Sequence, residues 1–479
     1  MNKDIRFLIV AFDGLRPDMV DDALMPNLSA FFRSGSHCTD NRAVFPTETR
    51  VNQSSLITGC HPGRHGMVAN KFMEPAAGGF LNTADFDALS TADDALNGIL
   101  TAPSLGEILH DAGLELAVVG CGTPGGNRIL HHRAEVLGNL NLSLHGLDKS
   151  ATPAAGQTVI DSLGPIPEAE LPNKARVDWV VDAYMEVVAP QRDPAAAILW
   201  FSDPDTPYHY RGIESEEAAE SIRHADAAFG RLLQWRDASG RSDTLQIIAM
   251  ADHGHVATHG EAMKLPEVFV DAGFDMAETT LISGTFGSLY VNDIAEQLRL
   301  VSWLQAQPWC GPIFARDLGG PPPGTLPLVA AQCDHRRSGD IVFVLARDAA
   351  APHGGLLGRC LHDNPEIPIG FGLHGGLSGY EVSTVLAFSG NQFANAHRID
   401  VPTGIIDIMP TILHGLGIDG PDMDGRVLHE TMGGVTPGSE PRIVVAEGAN
   451  GYQQSLNYDE VGDSRYLAHA QRVGGPPLT

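Results

Sequence analysis

The chain has 479 residues, 43% of them hydrophobic, which exceeds one small core and argues against disorder. With 31 Lys and Arg against 59 Asp and Glu, the formal charge is −28. A surface this acidic repels polyanions and excludes a nucleic-acid polymer as partner, but it leaves room for a small anionic substrate where bound cations invert the local field. The N-terminal MNKDIRFLIVAFDG carries no cleavage-type signal and no stretch is long enough to span a bilayer, so the expected location is cytoplasmic, with no membrane partner. Six scattered cysteines form neither a zinc-finger spacing nor a disulfide framework.

Residues 6–12, RFLIVAF, form a continuous apolar run of strand length, suited to a central parallel strand buried on both faces, and the run ends at Asp13-Gly14. A short helix is expected over 26–32. Pro46-Thr47-Glu48-Thr49 then interrupts regular structure ahead of a helix that stops at Gly59. Thr49 thereby falls near a helix N-terminus, where unpaired N–H groups and the dipole favour an anion, although a capping role alone would also suit a threonine there. Asn70 offers an amide to the same oxygens. A helix over 103–112 and a strand over 114–120 follow; 139–172 shows no periodicity. A helix over 175–188, a strand over 196–201, a long amphipathic helix over 215–235 and a strand over 245–250 complete an alternation that points to a doubly wound α/β sheet.

From 257 to 368 short strand-like pieces are broken by Pro- and Gly-rich links such as GGPPPGTLP. This segment reads as an inserted, smaller α+β cap subdomain within a discontinuous core of 1–256 and 369–479. Core pattern resumes at 383–388. A helix over 402–416 with a kink at Pro410 and a strand pair after 442 close the chain.

Three apolar runs end in acids: Asp13, then Asp203 and Asp205, then Asp252 followed by His253. In an open parallel sheet ligands bind beyond the carboxyl ends of the strands. Carboxylates gathered there repel one another unless cations lie between them, which is the physical argument for metals. Asp205 and His209 stand four apart, and His374 lies in the glycine-rich GFGLHGGLSG. Gly120 to Gly125 matches GxGxxG, but NRILHHRAEV does not read as a clean helix start. A dinucleotide-dependent oxidoreductase is therefore the remote alternative. A binding module that kept the fold but lost catalysis is disfavoured by the full set of candidate ligands. His61, His131 and His132 read as loop or surface histidines.

Asp13-Gly14, Thr49 with Asn52, Thr58-Gly59, His65-Gly66, Asn70, Asp205 with His209, Asp252-His253-Gly254 and His374-Gly375 resemble, in this order, the nucleotide pyrophosphatase/phosphodiesterases of the alkaline phosphatase superfamily. The resemblance runs from about Arg6 to Gly260 and again from His374 to Gly425. It implies an alkaline-phosphatase-like core and a hydrolase that cleaves a phosphodiester or pyrophosphate bond of a small molecule, nucleotide in type, through a phosphothreonine. It further implies two divalent ions, zinc suiting the ligands best and manganese or iron also accommodated. Asp205, His209 and His374 would hold one ion; Asp13, Asp252, His253 and Thr49 the other. Thr49 would be the nucleophile and Asn70 would hold non-bridging oxygens, with Thr47 and Asp203 as rivals to Thr49 and Asp205. Arg50 and Lys71 depart from the family pattern. If they face the site as substrate-binding residues, phosphonate or phosphomonoester hydrolysis becomes the alternative.

Overall fold

The computed structural model describes residues 4–276, 279–350 and 355–474. Its central sheet has nine strands. Eight run in the order His397–Ile399, Ser36–Arg42, Ser383–Ser389, Leu245–Met250, Arg6–Phe12, Ala196–Phe201, Leu116–Gly120, Asn141–Ser143, and Thr403–Gly404 pairs with Ser36–Arg42. The five strands from Leu245–Met250 to Asn141–Ser143 in that order are parallel to one another. Ser383–Ser389 is antiparallel to both of its neighbours. The parallel strands are continuously apolar because helices cover both sheet faces. Phe7, Ile9 and Ala11 belong to one core cluster, while Leu8, Val10 and Phe12 belong to another, so the strand's alternation feeds two cores. Register aligns Phe12 with Phe201 and Ala11 with Met250. Strand ends so aligned deliver Asp13, Asp203 and Asp252 to one edge.

Long-range polar contacts fix the helices against this sheet. Helix Pro26–Ser34 begins after Met25, which supplies no capping side chain. Instead Asp226, 1% exposed on helix Glu216–Ala238, accepts hydrogen bonds from Asn27 N (3.0 Å), Asn27 Nδ2 (2.8 Å) and Leu28 N (2.8 Å). Replacing Asp226 by alanine leaves these donors, of which Leu28 N is fully buried, without their acceptor. We expect a loss of about 2–3 kcal/mol, read as a lower urea midpoint with activity per folded molecule retained.

A second sheet of five strands orders Thr280–Ser283, Phe286–Tyr290, Ile341–Leu345, Cys310–Ala315 and Leu326–Pro327. Helix Ile294–Ala306 packs with it through Leu300, Val301 and Leu304. The tail forms a three-stranded antiparallel sheet, Glu440–Glu447, Gln453–Val461 and Ser464–Gly474, rather than a strand pair. Its Leu456, Tyr458 and Leu467 share an apolar cluster with Phe314 and Val342 of the second sheet and with Phe45 and Ala69 from the central domain. Residues 475–479 of the tail lie outside the described residues.

Other expectations are corrected. The segment 139–172 contains a strand, Asn141–Ser143, and a helix, Pro153–Leu163. The C-terminal helix starts at Ile408 rather than 402, after a 3-10 turn over Ile405–Asp407. Pro410 therefore sits in its first turn, where no intrahelical acceptor awaits its missing N–H. Helix Pro124–Leu130 does form after the glycine motif, capped by Thr123. Gly125 is needed there because a Cβ would lie 2.0 Å from Thr83 O. His61, His131 and His132 are all buried; His132 Nδ1 lies 3.2 Å from Asp93. Among the described residues no helix is long and apolar enough to cross a membrane, and all six cysteines are buried, free thiols.

Candidate metal centre and nucleophile

Thr49 is the first residue of helix Thr49–Thr58, and its N-cap is Glu48, not Thr49. Because the first helical N–H groups lack an i−4 partner, Thr49 places its hydroxyl beside the positive end of the helix dipole. Asn52 secures the preceding loop: its Oδ1 accepts from Val44 N at 2.9 Å and its Nδ2 donates to Glu48 O at 3.1 Å. Thr49 Oγ1 lies 3.1 Å from His253 Nε2. The rival Thr47 is committed elsewhere, donating to Gly376 O (2.8 Å) and accepting from Gly375 N (3.0 Å). It thus braces the loop that carries His374.

Asp13, 4% exposed, accepts from Trp200 Nε1 at 2.9 Å through Oδ2, while its buried Oδ1 has no hydrogen-bond partner. Asp252 is equally divided: Oδ1 accepts from Gly14 N at 3.1 Å, and Oδ2 is buried without a partner. His253 Nε2 stands 3.5 Å from Asp13 Oδ1 and 3.3 Å from Asp252 Oδ2. Two orphaned carboxylate oxygens, an imidazole nitrogen and a threonine hydroxyl thus converge. Burial, with Asp252 and Asp205 nearby, pushes the Asp13 carboxyl well above its usual range, and burial raises Asp252 too. Such crowding calls for a counter-charge, and the donor set fits a divalent ion.

Asp205 opens helix Asp205–Arg211 and sits beside three imidazoles. Its Oδ1 lies 2.8 Å from His255 Nε2, 3.1 Å from His209 Nε2 and 3.5 Å from His374 Nε2. Burial works against ionisation, but His209 and His255 hold this carboxyl well below the usual carboxylate range. Burial, helped by His253 and His255, pushes His374 well below the ordinary imidazole value, which keeps it neutral and able to bind a metal. The outer ring nitrogens are oriented by carbonyls: His209 Nδ1 pairs with Gly372 O and His374 Nδ1 with Thr47 O, both at 2.8 Å. Asp205, His209, His255 and His374 form one group able to hold a metal ion, and Asp13, Asp205 and His253 form another.

Sequence reasoning passed over His255 and Trp200. The His253-Gly254-His255 spacing after a strand-end acid was the available signal for the first; nothing in the sequence pointed to Trp200 as the partner of Asp13. Gly14 is explained as well: its φ is +72°, and a Cβ there would lie 2.8 Å from the His255 ring. Asp203 is set apart, accepting from Asn173 N at 3.0 Å and Ser202 Oγ at 3.2 Å.

Two cavities flank this centre. One, about 490 Å³, is lined by Glu48, Lys71, Ser283, Thr285 and Asp363 among others. The other, about 410 Å³, reaches Asp13, Thr49, Thr123, His145, Arg176 and Asp205. Arg50, Asn70, His209 and His374 line both. Asn70 Oδ1 accepts from Arg50 N at 3.2 Å, and its Nδ2 makes no hydrogen bond among the described residues.

A family described as type I phosphodiesterase/nucleotide pyrophosphatase has a sequence model that matches residues 7–307. A venom phosphodiesterase of Macrovipera lebetinus is 26% identical over 255 residues, 52% of this chain and 25% of that protein. Member 7 of the ectonucleotide pyrophosphatase/phosphodiesterase family from Mus musculus is 26% identical over 268 residues, 55% of this chain and 52% of that protein. The chain therefore spans about a quarter to a half of these relatives. Among solved structures, human ectonucleotide pyrophosphatase/phosphodiesterase 5 superposes with a TM-score of 0.63 at 18% identity, covering 90% of this chain and 100% of that one. The murine protein, solved as an inactive variant in complex with AMP, gives 0.62 at 18%, with 88% and 96% covered. The mixed α/β architecture with its mostly parallel sheet is the one these structures share.

Proposed function

Because the chain belongs to the type I phosphodiesterase/nucleotide pyrophosphatase family, we propose that it hydrolyses a phosphodiester or pyrophosphate bond of a small molecule, with Thr49 as nucleophile. The observation that carries this reading is the Thr49 hydroxyl at a helix N-terminus, 3.1 Å from His253 Nε2 and beside the orphaned oxygens of Asp13 and Asp252. Asp205, His209 and His374 would hold one divalent ion; Asp13, Asp252, His253 and Thr49 would hold a second, and zinc suits both donor sets best. The ions would supply positive charge that acidifies an adjacent hydroxyl and neutralises developing anionic oxygens.

The protein groups then have separate tasks. Thr49 Oγ1 forms a bond to phosphorus as the bond to the leaving oxygen breaks in line with it, and its proton passes to solvent in the cavity. Water then cleaves the resulting phosphothreonine and restores the hydroxyl. The Asn70 Nδ2 donors and the Thr49 backbone N–H hold the non-bridging oxygens. Asn70→Ala is expected to lower kcat roughly 10²- to 10³-fold with metal content unchanged, measured on bis-p-nitrophenyl phosphate.

Segment 257–368 is proposed as the cap that shapes specificity, since Ser283, Thr285 and Asp363 wall one cavity. Arg50 and Lys71 line that cavity as well, which favours a second reading, a phosphonate or phosphomonoester substrate. A cytoplasmic location accords with the six free thiols. Elemental analysis of the purified protein, followed by parallel assays of a diester, a pyrophosphate, a monoester and phosphonoacetate, tests the set. No hydrolysis of any of them by metal-loaded protein would sink it.

A further inference from the structure

Arginine cannot shed its proton at neutral pH, so a buried guanidinium needs an anion. Four of the five buried arginines among the described residues have one, and the fifth, Arg176, opens its terminal nitrogens to a cavity instead. Arg16 pairs with Asp18, Arg42 with Asp40 and Asp459, Arg128 with Asp93, and Arg337 with Glu74. Arg176, 8% exposed, has no carboxylate within ion-pair distance among the described residues. Its Nε donates to Pro167 O at 3.0 Å, and neither terminal nitrogen has a partner among those residues.

Arg176 lines the 410 Å³ cavity that also reaches Thr49 and Asp205. The carboxylates on this side do not pair with it: Asp203 accepts from Asn173 N and Ser202 Oγ, and Glu170, exposed and also on the cavity wall, accepts from Ala175 N at 2.9 Å. Arg50 enters the same cavity and likewise has no ion-pair partner among the described residues. Its Nε reaches only Thr83 Oγ1, at 3.4 Å. Thr123, Asn173 and Thr206 add neutral polar groups to the wall. In a chain of net charge −28, unpaired guanidinium groups beside the nucleophile constitute a selective feature.

Resting on the hydrolytic reading above, we propose that this cavity is an anion subsite. The substrate carries a second anionic group, carboxylate or phosphate, beyond the phosphoryl group under attack, and Arg176 binds it with Arg50 alongside. Arg176 is thus a specificity-determining residue, and the preferred substrates are those charged at both ends.

The test uses three p-nitrophenyl phosphodiesters that differ only in the tail of the second alcohol: a propionate, the neutral propionamide, and an ethyl phosphate. Metal-loaded wild type should show kcat/KM roughly 10- to 100-fold higher for the charged tails than for the amide. The better of the two charged tails identifies the anion. In Arg176→Gln that ratio should fall toward one; in Arg176→Lys, which keeps a charge without the planar fork, it should be intermediate. If the Gln variant fails to fold by circular dichroism, the wild-type ratio and the Lys variant decide. Equal rates on charged and neutral tails, or a preference that survives Arg176→Gln, would overturn the subsite while leaving the hydrolytic reading intact. Release of p-nitrophenol from none of the three overturns both.

Discussion

Replacing Thr49 by alanine is expected to lower turnover by at least about 10³-fold while the protein keeps its fold and its metals. The reasoning is local. Thr49 caps nothing, its hydroxyl touches only the His253 ring among the described residues, and the carboxylate and imidazole donors around it come from other elements. Removing one hydroxyl therefore leaves Asp13, Asp252 and His253 in place. Thr49→Ser, which preserves the oxygen, should recover a substantial part of the rate. Steady-state kinetics beside elemental analysis reads both quantities. An alanine variant with near wild-type turnover would mean that water attacks directly, because Thr47 has its hydroxyl committed on both sides to the Gly375–Gly376 backbone.

Asp205→Ala should have the broader consequence. Its Oδ1 lies within 3.5 Å of His209, His255 and His374, so one truncation leaves three imidazoles, His255 buried and the other two half-buried, without their anion. We expect loss of bound metal, activity below detection, and a destabilisation of about 3 kcal/mol, the lower end of what removing one partner from a buried charged pair costs, because Asp205 is half-buried. Chelation of the wild type should abolish activity too, with zinc restoring it; the variant should not recover. Full activity in the variant, or a wild type indifferent to chelators, would remove the metal argument.

The legible part of this molecule was whatever local pattern controls. Continuous apolar runs located Arg6–Phe12, Ala196–Phe201 and Leu245–Met250 to the residue, because strands buried on both faces need apolar side chains throughout. The acids at their ends were readable for the same reason: a parallel register aligns strand termini whatever follows them. The helix Pro153–Leu163 was hidden, since only Gly156 and Val159 of it are buried and its apolar stripe is thin. His255 was missed because its role is defined by Asp205, 50 positions away, and not by its neighbours. Trp200 reads as one more apolar residue of a strand until its indole N–H is seen on Asp13. That no described carboxylate reaches ion-pair distance of Arg176 follows from the three-dimensional packing and has no local signature.

The apolar cluster that joins Phe45 and Ala69 to Phe314, Val342 and Leu456 has a mechanical consequence. Phe45 precedes the Thr49 loop and Ala69 precedes Asn70, so the second sheet and the C-terminal strands are clamped to the very segments that present the reacting groups. Swinging that wall outward would wet the clamp, which disfavours a hinged lid. The mouth is then a rigid frame, and selection between substrates falls to the shape and charge already built into it.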